Sequence, residues 1–287
     1  MLALPLYLAL AFGQAGANVE APAAAAAAAP EAARWAIVVV GLPGDDEHDE
    51  LFRSTSQAYV RWLTETLSCD ANRVLLVGHN PAERGAKLGA TKEQFAAAVA
   101  ELSGKIQPED ALWVVTLGHA NYDGERGWLH LAGPDLNDLE LAEQFAEVEC
   151  REQVFWLTHT CSGWFLPALS RPGRIVIAAT EADQEVNETE FPQALLDAAA
   201  QPVVELDRDV DGRVSLAELF LAASERVAAT FKADNRVPTE HAQLDDDGDG
   251  SGSEADRLLP APPPNDVDHR DGFQAAATPL PLRPEKK

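Results

Sequence analysis

The sequence predicts an α/β fold with a doubly wound, mostly parallel sheet, and three observations carry that expectation. Short runs that are apolar throughout recur along the chain, segments with apolar residues at helical spacing separate them, and 287 residues suffice to bury a substantial core. Strands covered on both faces read as continuous apolar runs, the pattern of a parallel sheet flanked by helices.

The elements follow in order. "WAIVVVG" (35–41) is a strand closed by glycine, and "FRSTSQAYVRWLTETL" (52–67) has helical spacing. "RVLLVGH" (73–79) is the second strand and "TKEQFAAAVAELSGKI" (91–106) the next helix. "ALWVVTLGH" (111–119) is a third strand, followed by a loop that carries "LNDLELAEQFAEV" (136–148). "QVFWLTHTC" (153–161) and "RIVIAAT" (174–180) are further strands, and "FPQALLDAAA" (191–200) is a helix. This α/β domain spans 34–200. Before it, 1–33 combine a signal-like apolar segment, with Ala15-Gly16-Ala17 as a cleavage site, and an Ala/Pro-rich tether; export to the periplasm or exterior is the expectation. Residues 257–287 are rich in proline and lack periodicity, so a disordered tail is expected.

The formal net charge of −25 argues against nucleic acid or an anionic membrane as a partner, since either would repel the chain. Cations and peptides fit better. Of the three cysteines, Cys69, Cys150 and Cys161, at least one stays unpaired. In open α/β sheets functional groups gather beyond the carboxyl ends of strands, and His119 and Cys161 both stand there. A thiol beside an imidazole can serve as a nucleophile with its base, and the backbone N–H groups of Ala120 and Cys161 are candidate oxyanion donors. His159, two residues before Cys161, is a second candidate partner, and His119, His159 and Cys161 together are a candidate metal site.

This order of strands, with "GHANYDG" (118–124), "AGPDL" (132–136), "GRIVIAATEADQEVNETEF" (173–191) and "TEHAQLDDDGDG" (239–250), resembles the bacterial branch of the caspase-like and legumain-like cysteine peptidases over about residues 34–254. The resemblance implies peptide-bond cleavage through a thioester, with Cys161 and His119 as the dyad. Two departures bear on it. Ala120 stands where the family has glycine after the histidine, and alignment on Ser162-Gly163, the spacing of the legumain-like members, puts Thr160 at the nucleophile position. The caspase spacing selects Cys161 instead. A slip of one residue along a strand turns a side chain to the other face, so the register decides between an endopeptidase and a silent, peptide-binding relative.

"DRDVDGRVSLAE" matches the EF-hand calcium loop without a gap: Asp207, Asp209 and Asp211 at the first, third and fifth positions, Gly212 for the turn, the Arg213 carbonyl, Ser215, and Glu218 at the twelfth. A helix with Leu219, Phe220, Ala223, Val227 and Phe231 on one face follows, so 201–256 read as an EF-hand-type helix-loop-helix region, packed on the α/β domain and binding Ca2+. A weaker second loop offers Asp245, Asp247, Asp249 and Asp256. Asn187, Glu188 and Glu190 follow the strand after Cys161 and are candidates to line a pocket or to start a helix.

Overall fold

The apolar runs form a mixed sheet of mostly parallel strands with helices on both faces. The computed structural model describes residues 32–78, 88–258 and 271–282; the leader 1–31 and His79 of the second predicted strand lie outside them. Strands β1 (Arg34–Val40), β2 (Val74–Gly78), β3 (Ala111–Leu117), β7 (Glu152–Leu157) and β8 (Arg174–Ala178) are parallel, in the order β2-β1-β3-β7-β8. Two short antiparallel strands, β9 (Gln243–Asp245) and β10 (Ser253–Glu254), continue the sheet past β8. The acidic region therefore extends the α/β sheet itself, where the sequence suggested a separate layer packed on it. A second small sheet joins β4 (Ala120–Tyr122), β5 (Gly127–Leu129) and β6 (Leu136–Asn137).

Side-chain parity sorts each strand between two cores. Trp113, Val115, Leu117, Val154 and Trp156 face α1 (Asp46–Arg61), α5 (Phe191–Ala199) and α7 (Leu216–Ala233). Leu112, Val114, Phe155 and Leu157 face α2 (Lys92–Ser103), α3 (Asp138–Gln144) and α4 (Leu166–Leu169). Helix α1 starts six residues earlier than the apolar spacing implies, because Asp45 caps it by accepting the His48 N–H. Its last turn passes into a π-helical segment, Trp62–Thr66.

The helix expected before the first acidic loop is broken. Pro202 starts the single turn α6 (Val203–Leu206), so the loop is entered from four helical residues and left through the eighteen of α7. The expected disordered tail is corrected in part: residues 271–282 are placed, with a turn of helix, α8 (Phe273–Ala276), and with Ala275 and Leu280 buried in the α7-side core. Two apolar side chains in register with a neighbouring backbone hold a stretch that its proline content alone would release. Among the described residues, no helix is long and apolar enough to cross a membrane.

Candidate functional site

The chain goes from β1 to β2 on one side of the sheet and to β3 on the other, so the carboxyl ends of β1 and β3 diverge and leave a crevice. A cavity of about 540 Å3 lies beyond the carboxyl ends of β3, β7 and β8, on the α1 side of the sheet. Its walls come from α1 (Leu51, Phe52, Thr55), the end of β3 (Leu117, Gly118, His119), the segment after β7 (Thr160), the loop after β8 (Asn187 to Glu190) and Arg236. The chain leaves β3 through Gly118 at φ 151°, a conformation that a side chain would strain. There a Cβ would also sit 3.1 Å from the Gly41 backbone.

The last strand bond is from the Thr158 N–H to the Thr116 carbonyl at 3.0 Å, yet alternation persists to Cys161. Thr158 lies on the α1 face, 3.4 Å from the Tyr59 hydroxyl. His159 turns the other way, with its ring 4.7 Å from that of Phe165. Thr160 returns to the cavity side, and Cys161 joins the α2-side core, 1 % exposed. On β3 the same parity takes Leu117 and His119 to the cavity. The structure thus brings His119 together with Thr160 on one cavity, and puts Cys161 on the opposite face.

The local bonds sharpen this contrast. The Thr160 hydroxyl accepts the Ala120 N–H at 2.7 Å and donates to the Ala120 carbonyl at 2.9 Å. One of the two expected oxyanion donors is thereby engaged. Cys161 occupies the left-handed region (φ 54°) at the start of a 3-10 turn, Ser162–Phe165. Burial raises its thiol above the ordinary value, and the Tyr122 backbone offsets this only in part. His119 donates from Nε2 to the Pro43 carbonyl at 3.0 Å and packs against the rings of His48 and Phe52. His159 is wholly buried, bonded through Nδ1 to the Thr160 carbonyl, and burial pushes it down to about 4. The candidate metal site of His119, His159 and Cys161 is not assembled, because parity sends the last two away from the first; among the described residues only carboxylates cluster in threes.

The Ser162-Gly163 pair is fixed by close contact. Gly163 donates to the Thr180 hydroxyl at 3.1 Å, and a Cβ on it would lie 2.4 to 2.5 Å from backbone atoms of Thr180, Glu181 and Ala182. Gly163→Ala is expected to destabilise the fold by about 2–3 kcal/mol, the cost of overpacking against rigid backbone, read from the urea midpoint at constant slope. An unchanged midpoint would mean that this turn has slack.

Two residues outside the sequence motifs stand at the cavity: His48, packed on the His119 ring, and Arg236, which lines it. His48 bridges two carboxylates, Nδ1 to Asp45 at 2.7 Å and Nε2 to Glu188 at 3.1 Å; these bonds, the one to Asp45 foremost, raise its pKa. Arg236 pairs with Glu190. The signal for His48 was its place three residues after a capping aspartate, whereas nothing local marks Arg236.

In the first acidic loop, Asp207, Asp209 and Asp211 offer carboxylate oxygens within 4.8 Å of one another. Gly212 takes φ 86°, and Asp207 accepts the Asp211 and Gly212 N–H groups, which curls the loop around the cluster. Glu218 accepts the N–H groups of Arg208 (2.6 Å) and Ser215 (2.7 Å), so the twelfth-position carboxylate is folded back over the loop. Ser215 caps α7 in return. Val210 sits at φ 61°, rare for a β-branched residue, and is 84 % exposed. The oxygen-only donor set suits a hard cation. In the second loop the carboxylates that converge are Asp245, Asp247 and Asp271. The expected Asp249 and Asp256 are not in that group, and Asp271 enters from the segment that sequence alone assigned to the tail. Burial raises Asp271 to about 7.

No family model matches the chain, and no curated protein matches it. Among solved structures, it is similar to the crystal structure of the Drosophila initiator caspase Dronc, with 10% identity over 76% of this chain and 80% of that chain and a TM-score of 0.47.

Proposed function

We propose that this chain is a catalytically silent, caspase-like domain that binds peptide segments in the cavity beyond the carboxyl ends of β3, β7 and β8 and is stabilised by calcium at 207–218. The observation that carries the reading is the residue facing the cavity beside His119: it is Thr160, whose hydroxyl is closed on the Ala120 backbone. A general base needs a nucleophile within hydrogen-bond reach, and Cys161 stands in the other core. The motifs around His119, Ser162-Gly163 and residues 173–191 support the caspase-like assignment, and the place of the cavity beyond the carboxyl ends of parallel strands supports binding there. For calcium, the support is the ungapped loop pattern and the convergence of three of its carboxylates. When bound, the ion would be held by Asp207, Asp209, Asp211, Ser215, Glu218 and the Arg213 carbonyl, and would supply charge balance to a loop that otherwise repels itself.

The test is alkylation of the native chain by iodoacetamide at mildly acidic pH with calcium present, followed by mass spectrometry. Cys161 is expected to label slowly, and His119→Ala is expected to leave the rate unchanged, since only a thiolate held by a partner stays reactive there. Fast labelling that disappears in His119→Ala would restore the peptidase reading and sink this one.

A further inference from the structure

Residues 271–282 run from one acidic loop to the other. At their start, Asp246, directly after β9, accepts the N–H groups of Gly272 (2.9 Å) and Ala275 (2.6 Å) and so fixes the first turn of α8. At their end the chain lies antiparallel beside the first loop: Ser215 bridges to Pro279, Leu216 donates to the Thr278 carbonyl at 2.9 Å, and Leu280 donates to the Val214 carbonyl at 2.7 Å. Ala275 and Leu280 enter the same core as Val214, Leu216 and Leu219.

We infer that residues 278–280 are the strand partner of the calcium loop, and that calcium at the loop and docking of this C-terminal segment favour each other. The inference rests on the calcium reading given above. Val214 lies between Arg213, whose carbonyl is a ligand position, and Ser215, the ninth position. The two ladder bonds fix the backbone of the residues that aim those oxygens, and a bound ion fixes the same backbone from the other side. A short segment held to the fold by a few bonds is among the first parts to open, so its docking equilibrium is the one that calcium can shift. Linkage makes the effect reciprocal: the factor by which calcium favours docking is the factor by which docking tightens calcium.

The experiment combines hydrogen exchange by mass spectrometry on the full chain, with calcium and with EGTA, and calorimetric calcium titration of three proteins: the full chain, a chain ending at Arg270, and Leu280→Pro, which removes the N–H donated to Val214. Exchange in peptides covering 214–216 and 278–282 is expected to slow about tenfold with calcium, and the slowing to vanish in Asp207→Ala, which leaves the second loop intact. Both altered proteins are expected to bind calcium at the first loop about tenfold more weakly while far-ultraviolet circular dichroism stays native. If the shortened chain loses its fold, Leu280→Pro and the exchange on the full chain still decide. Calcium binding by the full chain with exchange unaffected, or with affinity unchanged in Leu280→Pro, would overturn the inference and leave the calcium reading standing. No calcium uptake by the full chain would overturn both.

Discussion

Thr160→Cys is expected to react with iodoacetamide at mildly acidic pH about a hundredfold faster than Cys161 does in the native chain, because a thiol at that position faces His119. An imidazole beside a thiol holds it as the thiolate and brings its pKa down to a range where a large fraction is ionised. Cys161, pushed upward by burial, stands on the face away from His119, and the imidazole on its own side, His159, is bonded through Nδ1 to the Thr160 carbonyl and pushed down to about 4 by burial. Exchange of hydroxyl for thiol also loosens the bonds that Thr160 makes to Ala120, returning one backbone donor to the cavity. Mass spectrometry of the labelled peptide distinguishes the two cysteines, and Thr160→Cys combined with His119→Ala is expected to fall back to the native rate. Equal, slow labelling of both cysteines in the single variant would show that His119 does not act on that position, and the caspase-like reading of the cavity would fail with it.

Loss of Asp207 or Glu218 is expected to abolish calcium uptake at the first loop. Asp207 belongs to the carboxylate cluster and its oxygens also order the loop through Asp211 and Gly212, so Asp207→Ala removes a ligand and the curl together. Glu218→Ala removes the closing ligand and the other half of the α7 capping box, which adds about 1 kcal/mol of destabilisation even without calcium. In the native chain, calcium at a hundred times its dissociation constant contributes about 2.7 kcal/mol, roughly 5–10 °C in melting temperature for a domain of this size. Scanning calorimetry with calcium and with EGTA checks this: the shift should be present in the native chain and reduced to any second-loop contribution in both variants. A full shift retained in Asp207→Ala would remove the loop from the account.

The strands were legible because a covered parallel sheet writes itself as unbroken apolar runs: β2, β3 and β8 fall inside the predicted segments, and β1 and β7 begin one residue before theirs. The same property hid the register at the site. Around Val154 to Leu157 both faces are apolar, so the pattern carries no polar contrast to say whether Thr160 or Cys161 turns toward His119. Pairing settles it, through Thr116 opposite Leu157 and the parity that continues from there. Asp271 and Arg236 were hidden for another reason: each reaches its neighbours across the fold, and no local spacing records such a contact. The first acidic loop was legible because its candidate ligands fall at fixed spacing within twelve residues, and its neighbour at 278–280 was not, because that contact is distant in sequence.

Val210 adds a quantity to the description of that loop. A β-branched side chain in the left-handed region costs roughly 1–2 kcal/mol, and the exposed position gives it no packing in return. A glycine there would carry no such burden. That cost corresponds to about a factor of ten in an equilibrium constant. Under the calcium reading proposed above, a loop strained in this way would fill only where the ion is plentiful.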